Sequence, residues 1–262
     1  MSTYQTLQLD IVNSIATITL NRPDQANGID MAMGRELMMA AIACDENPAV
    51  RAVILTAQGK FFSAGGDLKS FAEMGDQISA GIKELTTYLH AAVSRLARMN
   101  APVIVAVNGV AAGAGMSLAL CGDVVLAARS AKFSMAYTAA GLSPDGGATW
   151  LLPRVVGLQR SRELMLLNRR LSADEAADWG MVTRVIDDEQ LLNEAHAMAA
   201  QLAAGPTGAL GKVKGLLAAS FENGLEAQME LEARAIAALS QSADGQEGIQ
   251  SFLNKRKPVF KG

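Results

Sequence analysis

Residues 103–115 read Val-Ile-Val-Ala-Val-Asn-Gly-Val-Ala-Ala-Gly-Ala-Gly, and how this stretch is read decides the fold. It lies within a run, Met99 to Gly122, that carries no charged side chain and is long enough to cross a bilayer. The interior of the run argues against a membrane span. Pro102 opens it, Asn108-Gly109 is a turn pair, and Gly113 and Gly115 follow closely. Val103–Val107 is short and β-branched, the pattern of a strand buried on both faces. The expectation is a buried strand, a glycine-rich loop and a small-residue helix ending at Leu120.

The same order recurs on both sides of this stretch. Upstream, Gln5–Asp10 and Ile15–Leu20 alternate as strands around the turn at Val12-Asn13-Ser14. Asp30 is a helix N-cap ahead of the apolar face Leu37, Met38, Ala41 and Ile42. Ala52–Thr56 is a compact strand, followed by a loop through Asp67 and a long helix over Ile78–Met99. Downstream, Asp123–Ala128 is a strand whose alternation continues through Lys132-Phe133-Ser134. Alternating strands and helices predict an α/β architecture. Beyond Trp150 the texture turns helical. Ser172-Ala173-Asp174-Glu175 is a capping box, Val182–Ile186 a last strand, and helices are expected at 188–203, 206–220, 225–239 and 244–253. A soft boundary at Ala204-Gly205-Pro206 divides the chain into 1–204 and 205–262.

Composition narrows the chemistry. The 262 residues carry 23 basic and 26 acidic side chains, so the formal net charge of −3 gives no footprint for nucleic acid or an anionic membrane. Cys44 and Cys121 cannot build a disulfide framework, which indicates a reducing, cytoplasmic compartment. The opening MSTYQTLQLD lacks a basic region followed by an apolar one, so no secretory signal is expected. His90 and His196 stand far apart with no cysteine beside either, so no metal site is expected. There is no Walker lysine and no Gly-x-Ser-x-Gly elbow. A dinucleotide fingerprint fails because Leu118 occupies the third glycine position.

Three loops share one design, in which a buried strand delivers the chain to small residues and a helix leaves. They are Phe62–Leu68, Asn108–Gly115 and Gly141–Gly147. Free N–H groups at two such helix starts would hold a developing oxyanion between them. The same glycines also serve tight turns and close helix–sheet packing without any ligand. Asp145, between Pro144 and Gly146-Gly147, either caps the next helix or, enclosed by apolar neighbours, transfers protons. Met33, Met74, Met116 and Met135 either line an adaptable pocket or fill the core.

At these loops the chain resembles the crotonase, or enoyl-CoA hydratase/isomerase, superfamily. The matching pieces are Leu20-Asn21-Arg22-Pro23, Phe62–Leu68, Asn108–Gly115, Ser143–Gly147, Ala176–Gly180 followed by Val182, and Lys255–Phe260. The resemblance implies a spiral of ββα turns with a C-terminal helical region that builds a homotrimer or a dimer of trimers. It implies an acyl-CoA thioester substrate, with coenzyme A entering as part of that substrate and no separate cofactor. By position it assigns the oxyanion donors to the Ala64 and Ala114 amides. It assigns Ala26, Gly65, Gly66, Asp67, Leu68, Gly113, Tyr137, Lys257 and Phe260 to substrate or coenzyme A binding.

The departures from the family pattern steer the choice of reaction. The two glutamates of a hydratase fall at Ser117 and Tyr137, neither of them a carboxylate. Asp145 matches the catalytic aspartate of dienoyl-CoA isomerases and of the isomerases of phenylacetate breakdown, so double-bond migration is the leading expectation. His90, Tyr137 and Asp145 also fall where 4-chlorobenzoyl-CoA dehalogenases have histidine, tryptophan and aspartate, so His90 is a second catalytic candidate. A hydratase or lyase with another way of activating water, and a non-catalytic acyl-CoA-binding member, stand as further alternatives.

Overall fold

The computed structural model describes residues 4–262. A hairpin, β1 (Leu7–Val12) and β2 (Ile15–Leu20), opens the chain and pairs antiparallel around Asn13-Ser14. Helix α1 (Met31–Glu46) starts where the sequence places it, with the Asp30 side chain accepting the Met33 N–H at 2.9 Å. Next come β3 (Ala52–Ala57), β4 (Phe61–Ser63), α2 (Leu68–Glu73) and α3 (Ile78–Arg98). The central stretch forms β5 (Val103–Val107), β6 (Val110–Ala112) and α4 (Ala114–Ala119). Then follow β7 (Val124–Ala128), β8 (Lys132–Ser134), α5 (Ala148–Val156) and α6 (Leu158–Leu167). The chain continues through β9 (Leu171–Ser172), α7 (Ala173–Asp178), β10 (Arg184–Ile186) and α8 (Leu191–Ala203). It closes with α9 (Thr207–Ser220), α10 (Leu225–Ser240) and α11 (Ala243–Leu253).

The strands sort into two sheets, one ordered β1-β2-β3-β5-β7-β10 and a smaller one ordered β4-β6-β8-β9. Each turn of the chain therefore places one strand in each sheet before a helix or long loop returns it: β3 then β4, β5 then β6, β7 then β8. This is the expected spiral of ββα turns. The large sheet is parallel from β2 to β10, and all five residues of β5 at its centre are fully buried. That burial on both faces is why Val103–Val107 reads as an unbroken apolar run.

The small sheet corrects the sequence reading at three points. Phe61–Ser63 and Val110–Ala112 were expected as loop, and Lys132–Ser134 as a continuation of the preceding strand. Each is a separate short strand of the second sheet. Three residues are too few for a period of two to show, and these segments are extended only because neighbours hydrogen-bond them.

Helix α3 buries Leu85, Leu89, Ala92, Val93 and Leu96, one face at helical spacing, and packs it on α1. The capping box is present, with Ser172 and Glu175 exchanging backbone and side-chain bonds at the start of α7. Residues 205–262 are tied to the rest by two cations. Lys214 Nζ lies 2.7 Å from Asp123 Oδ2 and donates to the Leu96 and Ala101 carbonyls. Arg51 donates to the Gly205 and Phe260 carbonyls. Among the described residues, no helix is long and apolar enough to cross a membrane.

Candidate active site

The three loops singled out in the sequence converge on one cavity of about 300 Å³. Ala64 and Gly66 come from the turn between β4 and α2, Leu68 from the first position of α2, and Gly113 and Ala114 from the start of α4. Tyr137, Ser143 and Asp145 come from the segment between β8 and α5. The remaining wall is mostly apolar: Ile29, Phe71, Leu142, and Ile82, Leu85 and Leu89 of α3, with Thr86 of the same helix adding one hydroxyl. The α3 contribution was legible in the sequence only as core periodicity, and nothing local separates a cavity wall from a packed interior.

The loop after β4 is held from behind. Buried Asn27 accepts the Arg22 N–H at 2.8 Å and donates to the Gln58 and Phe61 carbonyls at 2.9 and 2.8 Å. Ser63 Oγ donates to the Asn27 carbonyl, and the Arg22 guanidinium bridges Asp30 and Asp67 at 3.0 and 3.2 Å. Sequence reasoning missed Asn27, although the Leu20–Pro23 motif beside it was noted. The Ala64 N–H donates to the Ala26 carbonyl at 2.9 Å. This corrects the expected donor: the Ala64 amide is already satisfied. The Gly66 N–H has no acceptor among the described residues, because the flanking bonds run from Ile29 N–H to Gly65 O and from Asp67 N–H to Ile29 O. Ala114 opens α4, so its N–H lacks an intrahelical acceptor, and none other is present among the described residues.

Gly65 brings the two loops into contact. Its φ is +98°, and a Cβ there would stand 2.8 Å from the Ala112 carbonyl oxygen and 3.0 Å from the Ala114 nitrogen. Only glycine fits both conditions.

Asp145 does not cap the next helix, since Gly147 holds that position without a side-chain bond. Its Oδ1 instead accepts the Tyr137 hydroxyl at 2.6 Å, and Tyr137 Oη lies 2.8 Å from Ser117 Oγ. Burial first, and the Asp145 charge second, push the Tyr137 phenol far above its ordinary value, so it stays protonated and acts as a donor. The backbone after Asp145 turns through Gly146 and Gly147 at φ of +60° and +77°, and a Cβ on Gly146 would lie 2.8 Å from that of Ser117.

The other expected site residues lie elsewhere. His90 is exposed and outside the cavity wall; its Nε2 accepts the Gly146 N–H at 3.1 Å. Asp67 caps α2 through Ser70 N–H and pairs with Arg22. Ala26 and Gly65 are not among the lining residues. Phe260 packs beside Gly248, and Lys257 is exposed on the tail; neither is among the lining residues. Met33, Met116 and Met135 are core, fully buried and absent from the lining. Among the described residues no cluster of His, Cys, Asp or Glu could hold a metal ion.

Comparison with known proteins agrees with this architecture. The family model for enoyl-CoA hydratase/isomerase matches residues 10–262. The chain is 42% identical over 254 residues to the 1,2-epoxyphenylacetyl-CoA isomerase of Escherichia coli K12, covering 96% of this chain and 97% of that protein. It is also 42% identical over 259 residues to a probable enoyl-CoA hydratase of Rhodobacter capsulatus, covering 99% of each. Among solved structures, the enoyl-CoA hydratase/isomerase from Cupriavidus metallidurans CH34 superposes with a TM-score of 0.91 at 33% identity, covering 100% of this chain and 98% of that one. The spiral of ββα turns, the converging loops and these matches over nearly the whole length place the chain in the enoyl-CoA hydratase/isomerase family, the crotonase superfamily.

Proposed function

We propose that this acyl-CoA-processing enzyme shifts a double bond in an enoyl-CoA thioester. The Gly66 and Ala114 amides hold the thioester oxygen as an oxyanion, and Asp145 carries the proton between carbons. The observation behind this reading is that, among the described residues, Asp145 is the one carboxylate lining the cavity, whose other polar side chains, Thr86, Tyr137 and Ser143, are hydroxyls. Hydration needs a group to activate water and a second to protonate carbon, whereas a 1,3-proton shift runs with one base working in both directions. Ser117 and Tyr137, at the positions where a hydratase carries glutamates, are hydroxyls bonded to each other. The E. coli relative's name is that of an isomerase acting on an epoxide of an acyl-CoA and the equally similar R. capsulatus relative is named a probable hydratase, so the choice rests on the residues of the site. A dehalogenase-like hydrolysis using His90 is disfavoured, because the Nε2 lone pair it would use on water accepts the Gly146 amide. No cofactor enters the reading beyond the coenzyme A of the substrate.

The test uses 3-hexenoyl-CoA in deuterated solvent. The expected result is conversion to the 2-enoyl thioester, with deuterium taken up wherever the proton held on Asp145 exchanges with solvent before it is returned, and loss of both in Asp145→Asn. A 3-hydroxyacyl product, binding with no turnover, or undiminished deuterium uptake in Asp145→Asn would each overturn the assignment.

The same reading extends to assembly. Residues Leu225, Ile236, Phe252 and Leu253 of the C-terminal helices are between 66% and 83% exposed in the single chain, too much apolar surface to leave in water. We propose that they pack in a homotrimer or a dimer of trimers.

A further inference from the structure

Three hydroxyl and carboxylate groups meet at one end of the cavity in a fixed order. Ser117 is fully buried, and its Oγ lies 2.8 Å from Tyr137 Oη and 3.3 Å from the Gly113 carbonyl. Tyr137 has one proton to give, and the 2.6 Å contact with Asp145 Oδ1 takes it. Its oxygen is then an acceptor, and the single serine proton, which has both Tyr137 Oη and the Gly113 carbonyl within reach, goes to the closer tyrosine oxygen. The chain of donors runs Ser117 to Tyr137 to Asp145 and ends on a charge, the arrangement in which each hydrogen bond polarises the next. Asp145 Oδ2 accepts no hydrogen bond among the described residues. The peptide after Asp145 is fixed independently, since the Gly146 N–H is held by His90 Nε2 from α3.

We infer that Tyr137, backed by Ser117, is the positioning residue of this site: it occupies Asp145 Oδ1 and leaves Oδ2 as the single oxygen that takes and returns the proton. The inference rests on the reading of Asp145 as proton carrier and adds to it which oxygen works and what holds the other. In the forward step a carbon–hydrogen bond breaks, its proton goes to Oδ2, and its electron pair moves into the thioester dienolate. In the return step the Oδ2–H bond breaks and the proton bonds to the remote carbon, restoring the carboxylate. Tyr137 keeps its own proton throughout, as its strongly raised phenol requires. The carboxylate rotates little between the two steps because one of its oxygens is tethered.

The experiment has a ligand-free arm and a turnover arm. In protein carrying carboxyl-labelled aspartate, the Asp145 carbon resonance is assigned by its disappearance in Asp145→Asn. Its chemical shift at one fixed pH is then compared between wild type and Tyr137→Phe. Losing the hydrogen bond to Oδ1 should displace the resonance. Ser117→Ala, which spares the ring, should displace it the same way by less. With 3-hexenoyl-CoA, Tyr137→Phe should lower kcat roughly 10- to 100-fold and leave KM within about threefold, since an acid–base group that is mispositioned loses its rate factor and not its binding. A purely packing role would scale activity without displacing the resonance. An unmoved resonance in both variants, or a loss carried by KM, overturns the inference. Deuterium uptake that survives in Asp145→Asn overturns instead the reading beneath it, so the two failures are distinguishable.

Discussion

Gly65→Ala perturbs the contact between the two donor loops with a single methyl group. Alanine at φ +98° carries a backbone cost of about 1–2 kcal/mol. Its Cβ would meet the Ala112 carbonyl oxygen at 2.8 Å, the Ala114 nitrogen at 3.0 Å and the Gly113 Cα at 3.2 Å, all backbone atoms that cannot swing aside as a side chain would. Forcing extra volume into such a contact costs about 1–3 kcal/mol. The sum is roughly 2–5 kcal/mol, a drop in melting midpoint of about 4–20 °C for a chain of this size. The methyl group also displaces the Ala114 amide, and losing one oxyanion donor lowers the rate by about 10²–10³. Gly75→Ala is the control. It too has a positive φ, +51°, but nothing lies within 4 Å of its Cβ. It should lose only the backbone part, about 1–2 kcal/mol, and no activity. Circular dichroism melts and deuterium uptake by 3-hexenoyl-CoA read both effects. If Gly65→Ala matches Gly75→Ala in stability and stays within threefold of wild-type uptake, the two loops are not pressed together as described.

Two further outcomes concern the C-terminal segment. Glu247 receives a two-pronged bond from Arg256 at 2.6 and 2.7 Å and the Val259 N–H at 2.8 Å, contacts that hold its carboxyl down to about 2, the Arg256 hydrogen bond foremost. An acid held below its ordinary value contributes stability that is complete above about 4.5 and is lost as pH falls toward about 2. Hydrogen exchange over residues 255–262 should therefore rise within that window, and Glu247→Gln should show the rise at neutral pH; equal protection in both proteins would sink the tether. Light scattering should report a multiple of three chains, and a monomer or dimer would refute the proposed assembly.

How much of this was legible beforehand depended on the range of the interactions. The Asp30 cap, the Ser172–Glu175 capping box and the Asn13-Ser14 turn each close within a few residues, so their signals sit in a short window of sequence. The β5 strand announced itself because burial on both faces leaves only apolar side chains. The short strands β4, β6 and β8 gave no such signal, because their extended form is set by partners distant in the chain. The family, too, was readable from motif order, since loop residues that meet a ligand are constrained one position at a time.

Donor and acceptor pairing is a different kind of property. Sequence alone placed the carboxylate, Asp145, and the loops that would supply amides. It could not say which amide was free, because the Ala64 N–H is taken by a carbonyl from the turn before α1. Nor could it show that Tyr137 and Ser117 spend their hydroxyls on each other and on Asp145, or that His90 faces the Gly146 backbone and not the cavity. Side-chain chemistry is written in the residue and survives any fold. Whether a hydrogen-bonding group is spent or available is decided only when the folded chain brings its partners together.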